Sequence, residues 1–360
     1  RSWNTATLLL KNSALSSDEI KRVRDFSTAR SFDLAWLPGI QPEETNRFQL
    51  LQQPVFYLTA SALLNQDNSQ ASGQKTGGNG NRHNSFIEDY KYDIRPATDN
   101  RPYFNNYFRW SSLQEMLALP GQAGISMIGV GYPTLLVTLA QAFIAAIVLI
   151  LLPLVFVKAD IKNAADKRLN IVVYFFAIGL AFLFIELAFI QKFTLILSQP
   201  LYAVAVALCA FLIFSGLGSL YVQHRLKNIA DGSISVLLRR SVWLIGLITI
   251  VYIVVLPLIS SSIMAQSETT RILSAFVLAA PLAFVMGMPF PLGLAAVQQS
   301  CPLYMPWAWG INGCASVLSA ILAVLLAMNT GFNGVMLCAV LLYLVAWLSN
   351  ITTVKQASLQ

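Results

Sequence analysis

Charged residues are scarce in this sequence. Asp, Glu, Lys and Arg together make up 11% of its 360 residues, whereas hydrophobic residues make up 56%. Soluble globular proteins have about 25% charged residues, so this composition excludes an ordinary soluble enzyme. It predicts a membrane protein with several spanning helices, and therefore the lipid bilayer as a partner.

The net charge of +7 does not indicate a nucleic-acid partner. Residues 1–130 contain 13 Lys and Arg against 12 Asp and Glu, whereas the residues from Gly131 onwards contain 11 against 5. The surplus lies in short loops of the apolar part, where positive residues set membrane orientation, and it forms no basic stripe. No binding to DNA or RNA is therefore predicted.

Cysteine is absent from the polar first part of the chain. All four cysteines, Cys209, Cys301, Cys314 and Cys338, lie in or beside apolar segments, which argues against a disulfide framework. No Cys/His cluster has metal-ligand spacing, and His83 lies in a polar loop, so no metal is predicted. GxSxG and HExxH motifs are also missing, and the catalytic residues stay unknown.

The first 64 residues have a strand, helix, strand order. Residues 6–11 (ATLLLK) and 32–39 (FDLAWLPG) have strand length, and residues 16–30 predict a helix with Ser16 or Ser17 as N-cap. A further helix is predicted over residues 46–64. One crossover unit cannot cover both faces of a sheet, so residues 1–64 are interpreted as the C-terminal remnant of a larger Rossmann-like domain. Because the chain starts with Arg1, we expect a fragment or a processed form.

Residues 65–84 are rich in Gly, Asn, Ser and Gln and predict a flexible loop. Residues 85–132 form a junction, with a possible interfacial helix over 119–132. From residue 133 to 350 the sequence predicts seven transmembrane helices, since each apolar run is long enough to cross a bilayer. The predicted spans are 133–157, 169–193, 200–223, 241–263, 272–297, 306–328 and 331–350, and residues 351–360 form a tail. The predicted fold class is therefore mainly α, with about seven membrane helices after a partial α/β segment.

Lys and Arg in the loops predict the orientation. The loops at 158–168 and 224–240 each contain four Lys or Arg, whereas the opposite side has only Lys192 and Arg271. The positive-inside tendency places those two loops and the C-terminus in the cytoplasm. Seven crossings then put the N-terminal domain outside.

Polar residues within the second span define a candidate membrane site. Glu186 lies well inside the span, where an ionisable side chain costs at least a few kcal/mol. It is either a functional residue or a structural carboxyl group that is protonated or hydrogen-bonded to a Ser or Thr of a neighbouring helix. Gln191, Lys192 and Gln199 close the span toward the N-terminal domain. Lys192 either contacts a ligand or anchors the helix at the surface.

A helix break is predicted in the fifth span at MGMPFPLG, because Pro289 and Pro291 remove two backbone donors. The sixth span opens with WGINGCAS, so Trp309 and Asn312 should lie beside the break. We expect Asn312 to bond the backbone groups that the prolines release. The small residues there and in SGLGS (residues 215–219) predict tight helix packing.

The junction contains the stretch ATDNRPYFNNYFRW (residues 97–110). Asp99 and Arg101 are close enough in sequence to pair, Pro102 excludes a helix, and Tyr103 begins a run of aromatics suited to the headgroup zone. One interpretation is a collar that docks the polar part on the bilayer. The other is a site shared with Lys192, which requires Arg101 to lie within about 16 Å of it.

Four of these segments together, DIRPATDNRPYF, FIELAFIQKFTLILSQPLYAVAVALCAFLIFSGLGS, MGMPFPLGL and WAWGINGCASVLSAILA, give the chain a family resemblance. It resembles the bacterial integral-membrane spermidine synthase-like proteins, over nearly its whole length. The resemblance implies a methyltransferase-type Rossmann domain fused to membrane helices in the bacterial inner membrane. It also implies decarboxylated S-adenosylmethionine or S-adenosylmethionine as cofactor of a full-length protein. Such a nucleoside cofactor is cytosolic, whereas the Lys and Arg of the loops place the N-terminal domain outside, so the side of that domain stays open.

The chain departs from that family at the cofactor site. It has no Gly-rich loop after a strand, and no counterpart of the catalytic Asp pair can be placed. No cofactor is therefore expected in this chain. Three hypotheses remain: the membrane portion of a spermidine synthase-like transferase, a transporter or channelling module for polyamines or another small molecule, and a non-catalytic anchor or assembly partner.

Overall fold

The computed structural model describes residues 6–51, 53–64, 87–88, 90, 92–104, 106–112, 131–148, 152, 165–227, 233–300, 302–349 and 351. The predicted flexible loop at 65–84 with His83, most of the predicted interfacial helix and nearly all of the tail lie outside these residues. So do Cys301 and most of the loop at 158–168. The chain divides into two compact units, Arg1–Arg95 with Arg109–Gln114, and Pro96–Phe108 with Glu115–Gln360.

The first unit contains two α-helices in its described residues. Helix α1 (Ser17–Ala29) begins after Ser16, as the sequence predicts. The Ser16 hydroxyl accepts from the N–H of Glu19 (3.4 Å), and the Glu19 carboxylate accepts from the N–H of Ser16 (2.9 Å). This capping box satisfies two of the amide groups that a helix leaves unpaired at its start.

Helix α2 (Val55–Leu64) begins later than the predicted residue 46. The cause is a turn built on Asp33, whose side chain is only 2% exposed. Its carboxylate accepts three successive backbone N–H groups, those of Arg47 (2.7 Å), Phe48 (2.9 Å) and Gln49 (2.8 Å). Pro54 then disfavours helical backbone in the residue before it, so the helix starts after the proline.

The two predicted strands are not found. Residues 6–11 and 32–39 have no strand assignment, and the described residues contain only an isolated bridge between Thr98 and Arg101. A strand needs a neighbour to pair with, and in the described chain nothing pairs with either segment. Leu8 and Leu10 are accordingly 79% and 88% exposed. A Rossmann-like arrangement of residues 1–64 is thus not supported.

The second unit is a bundle of seven described helices. They are α3 (Gly131–Ala146), α4 (Ala165–Leu197), α5 (Pro200–Leu226), α6 (Ser233–Met264), α7 (Glu268–Met286), α8 (Pro289–Ser300) and α9 (Met305–Leu348). Helix α4 is central: it packs against α5, α7, α8 and α9, and 67% of its most apolar window is buried, compared with 28% for α5.

Five helical segments in the described chain are long and apolar enough to cross a membrane. They are Leu169–Leu197, Pro200–Leu226, Ile234–Met264, Glu268–Ser300 and Pro302–Leu348. Together they indicate a protein in contact with the lipid bilayer. The predicted number of seven spans is not shown, for two reasons: α3 is a shorter helix, and the sixth and seventh predicted spans form one continuous segment.

That continuous segment is broken in the middle. Its 47 residues would reach about 70 Å as one straight helix, more than twice the roughly 30 Å hydrocarbon thickness. At Gly331 the backbone has φ 76° and ψ 171°, outside the helical region. Helix α9 therefore consists of a first half (305–330) and a second half (332–348).

Candidate functional site

The most distinctive feature of the described bundle is a cavity of about 420 Å³ between α4, α5, α9 and the α7–α8 connection. It is lined by Ile178, Gly179, Phe182, Leu183, Leu212, Ser215, Gly216, Ser219, Met286, Gly287, Pro289, Phe290, Pro291, Asn312, Ser316 and Tyr343. Its volume falls within the range of small-molecule sites, about 300–1,000 Å³. Three sequence motifs, SGLGS, MGMPFPLG and WGINGCAS, meet in this one cavity.

Glycines bring the surrounding helices close together. A Cβ placed on Gly218 of α5 would meet the backbone oxygen of Phe284 at 1.9 Å, and one on Gly287 would meet that of Ser215 at 2.0 Å. On α4, a Cβ at Gly179 would lie 2.8 Å from the Cβ of Ala315 in α9. These contacts agree with the tight packing expected from the small-residue motifs.

The helix break at the end of α7 forms one wall of the cavity. Helix α7 ends at Met286, Gly287 is its C-cap, and Pro289 and Pro291 open α8. The hydroxyl of Tyr174 in α4 donates to the carbonyl of Pro289 at 2.6 Å. A hydrogen bond from the central helix α4 therefore fixes the helix break that forms this wall of the cavity.

The expectation for Asn312 is wrong in its partner. Its side-chain amide donates to the carbonyl of Phe175 in α4 (3.2 Å). The hydrogen bond to the proline segment comes instead from the hydroxyl of Tyr174. Both partners come from α4, the helix that lies against the two segments. The structure does bring together the four predicted residues of this region: Pro289, Pro291 and Asn312 line the cavity, and the Trp309 ring packs edge-on to Phe290 at 4.8 Å.

The cavity lining is uncharged. Among its lining residues are three serines, an asparagine and a tyrosine, but no Asp, Glu, Lys or Arg. An ammonium group held there would have no carboxylate to offset its lost hydration, which is costly in an apolar interior. The chemistry of this lining favours a neutral ligand with few hydrogen-bonding groups.

Glu186 lies one helical turn beyond the cavity on the same side of α4 as Phe182 and Leu183, which line it. Its side chain is only 6% exposed, and no hydrogen bond to its carboxyl group is found in the described part of the chain. The structural partner considered for it, a Ser or Thr on a neighbouring helix, is therefore not found among these residues.

The other candidates of the second span do not form one cluster with Glu186. Lys192 is six residues further along α4, about 9 Å along the axis and about 120° around it. Its ammonium donates to Oδ1 of Asn333 at 2.7 Å. Gln199 is exposed at the N-cap of α5 and makes no capping bond with its side chain. Gln191 is half-buried, and the described contacts give it no bond to any of the three.

The predicted junction motif packs against the break in α9. Thr98 and Arg101 exchange backbone hydrogen bonds across a tight turn, with Arg101 N to Thr98 O at 2.8 Å. At the tip, the carbonyl of Asn100 accepts from the N–H of Phe332 (2.9 Å), and its Oδ1 accepts from the N–H of Asn333 (2.8 Å). Asn100 therefore caps the second half of α9 from another part of the chain.

This cap connects the motif to Lys192. The side chain of Asn333 accepts the Lys192 ammonium while its backbone N–H is held by Asn100, so both residues contact Asn333. No ion pair between Asp99 and Arg101 is found in the described chain, and Asp99 is exposed. The motif thus reaches the surroundings of Lys192 through Asn100, which the sequence argument had not singled out.

Aromatic stacking completes the junction. The Tyr103 ring stacks on Phe332 at 6.1 Å, and the Phe108 ring stacks on Tyr132 at 4.8 Å. Burial raises the pKa of Tyr103 to about 12, so the phenol stays neutral at physiological pH. Pro102 lies between the turn and this ring, in non-helical backbone as predicted.

Sequence reasoning missed Asn100, Gly331 and Asn333. Two local patterns could have pointed to them. The Asp-Asn pair that ends at Asn100 is typical of turn centres, and an isolated Gly between two apolar runs, as at Gly331, is typical of a position with positive φ. A Cβ at Gly331 would lie 2.1 Å from Nδ2 of Asn100, so only glycine fits there. The pairing itself spans more than two hundred residues and is invisible to local patterns.

No cluster of three or more His, Cys, Asp or Glu side chains suited to a metal ion occurs in the described residues. The cysteines among them are free: Cys209 is exposed, Cys314 is buried and Cys338 is half-buried. Comparison of the chain with family models, curated proteins and solved structures finds no match.

Proposed function

We propose that this chain is the membrane-embedded portion of a spermidine synthase-like protein, and that its own role is to hold a small molecule within the helix bundle. The cavity of about 420 Å³ supports this role. It is formed where three of the four segments that suggest the family meet, those with SGLGS, MGMPFPLG and WGINGCAS. A purely structural bundle has no need for such a cavity at its glycine-rich crossings.

Transfer chemistry is assigned to the full-length protein and not to the residues described here. The resemblance implies an adenosyl cofactor, but the described part of residues 6–64 has no strand followed by a Gly-rich turn and a helix. Asp33, a buried carboxylate of this unit, already accepts three backbone N–H groups. No step of an aminopropyl or methyl transfer is therefore derived for this chain.

The proposal includes a topology. We place the chain in the bacterial inner membrane with seven crossings and a cytoplasmic C-terminus. Support comes from the break at Gly331, which divides the last segment into two halves, and from α3 as the start of the first crossing. The Lys and Arg of the loops at 158–168 and 224–240 support the orientation.

A second candidate function is transport of a polyamine or another small molecule through the bundle. The breaks at Gly287 and Gly331 and the buried Glu186 are features of transport sites, where helices are discontinuous near polar residues. Uptake of putrescine into liposomes by the wild type and by Glu186→Gln tests it. Absence of uptake by both, or equal uptake by both, would exclude transport through this residue.

The binding role can be tested by blocking the cavity. Gly216 lines it, and a Cβ added there meets nothing within 4 Å; Gly313 has equal space but does not line the cavity. Gly216→Leu should abolish ligand binding, whereas the matched control Gly313→Leu should retain it.

Binding is measured as the rise in unfolding temperature with putrescine, spermidine, S-adenosylmethionine or decanol. A rise with at least one compound that Gly216→Leu removes and Gly313→Leu keeps supports the role. No rise with any of the four in the wild type contradicts it and leaves the anchor hypothesis.

A further inference from the structure

Two polar groups at the cavity have no partner within the described chain. The Tyr343 side chain lines the cavity and is only 1% exposed, yet no hydrogen bond to its hydroxyl is found among the described residues. Asn312 offers the second group. The Phe175 carbonyl can only accept a hydrogen bond, so the side-chain atom of Asn312 that faces it must be the amide nitrogen. The other atom of that amide, Oδ1, therefore points away from Phe175.

Neither of these oxygens is among the fully enclosed, unpartnered side-chain atoms of the described chain. Each therefore keeps some open space, and we assign that space to the cavity that both residues line. A buried polar group without a partner is costly, so a donor at Tyr343 and an acceptor at Asn312 predict a ligand that supplies the complementary pair.

The cavity opens on the outer surface of α5. Leu212 and Gly216 both line it, Leu212 is 69% exposed, and Gly216 is exposed as well. Helix α5 has a mean hydropathy of 2.3 in its most apolar window, of which only 28% is buried. In a bilayer this surface contacts hydrocarbon, so the opening admits molecules from the lipid phase.

We propose that the cavity binds an uncharged lipid with a hydroxyl headgroup. This inference rests on the proposed binding role and specifies its ligand. The ligand hydroxyl accepts from Tyr343 and donates to Oδ1 of Asn312, while its hydrocarbon chain lies along Phe182, Leu183 and Leu212 toward the bilayer. Because no lining residue is charged, an ammonium or carboxylate headgroup would lose its hydration without a counter-charge.

The test uses the whole chain in lipid nanodiscs and photoactivatable decanol, a ten-carbon alcohol with a diazirine in its chain. Two probes share that chain: the methyl ether, which accepts but cannot donate, and the decylammonium. Labelled peptides are identified by mass spectrometry and followed as a function of probe concentration. Because the diazirine is in the chain, we expect saturable labelling of residues 178–183 and 212–216 by the alcohol, weaker labelling by the ether and the weakest by the ammonium.

Variants separate specific binding from partitioning. Tyr343→Phe removes only the hydroxyl and should weaken alcohol binding roughly three- to tenfold, the effect of one neutral hydrogen bond, with little change for the ammonium. Gly216→Leu should abolish saturable labelling, and Gly313→Leu should preserve it.

The inference is overturned if the ammonium labels these residues as well as the alcohol does, or if Gly216→Leu leaves alcohol labelling unchanged. It is also overturned if putrescine or spermidine raises the unfolding temperature through the cavity while the alcohol shows no saturable labelling. In that last case the binding role stands and only the ligand class is wrong. If none of the compounds tested binds to the protein, the binding role itself is overturned.

Discussion

At the scale of single residues, hydrogen bonds and ion pairs with residues nearby in sequence fix the conformation of several side chains, which composition alone does not predict. Glu19 makes three contacts with two such residues: its carboxylate accepts from the N–H of Ser16, its own N–H donates to the Ser16 hydroxyl, and its carboxylate lies 2.8 Å from the Lys11 ammonium. The hydrogen bond from Lys11, followed by that from Ser16, lowers the pKa of Glu19 to about 2.

The contribution of Glu19 to the stability of the start of α1 should therefore depend on pH. A carboxyl group whose pKa is lowered on folding stabilises the helix start above its ordinary value of 4.5, and this stabilisation is lost as the pH falls toward 2. In Glu19→Gln, amide hydrogen exchange of the first turn of α1, corrected for intrinsic rates, should be faster at neutral pH. The difference from the wild type should shrink between pH 4.5 and 2.

Asp18→Asn is the matched control, because it removes the same charge from the same turn without touching the capping box. Equal exchange in wild type and Glu19→Gln at neutral pH would contradict the assigned role.

Asn100 allows a second residue-scale prediction. Asn100→Ala removes the Oδ1 that holds the N–H of Asn333 and should cost about 1 kcal/mol, the usual effect of losing a helix cap. Amide exchange of residues 332–336 should become faster. Asn100→Asp keeps an acceptor oxygen at the same place and should restore protection, so failure of Asp to do better than Ala would argue against capping.

At the scale of helices, close crossings shape the cavity. Helices α5 and α7 approach so closely at Gly218 that no side chain fits between them, whereas Gly216, two residues earlier, has open space. The two glycines belong to one sequence motif, SGLGS, and have opposite roles: one permits the contact and the other lines the cavity.

Alanine substitution should separate these roles. Gly218→Ala forces α5 away from Phe284 and should destabilise the bundle by about 1–3 kcal/mol, as overpacking does. Gly216→Ala should leave stability unchanged or slightly higher, since its Cβ meets nothing within 4 Å. Thermal unfolding in detergent measures both, and equal destabilisation by the two variants would refute the assigned crossing.

At the scale of the whole molecule, membrane orientation connects the sequence with the fold. Residues 224–240, which cover the end of α5, the connection and the start of α6, contain four Lys or Arg. The connection between α6 and α7 contains none up to Arg271 in the first turn of α7. The proposed topology places the first connection in the cytoplasm and the second outside.

Reporter fusions test this arrangement. Green fluorescent protein fused after Gln360 should fluoresce, since it folds in the cytoplasm, and alkaline phosphatase at the same position should be inactive. Alkaline phosphatase fused after Gln266, between α6 and α7, should be active. The reverse pattern would show that the positive-inside prediction fails for this chain.

The sequence predicted the α1 cap, the apolar segments and the proximity of the proline break to Asn312, because these depend on residues close in sequence or on simple antiparallel packing. It was wrong on the two strands predicted over residues 6–11 and 32–39. Both segments have the length and apolarity of a strand. A strand also needs a neighbouring strand to pair with, and the described chain provides none.

The amino-acid sequence alone determined that this protein has bilayer-length helices, because apolar length is additive along the chain and needs no partner. Only the tertiary structure decided that Asn100 caps α9 and that three separated motifs surround one cavity. Those features depend on distances between residues far apart in sequence, and such distances are set only when the helices pack.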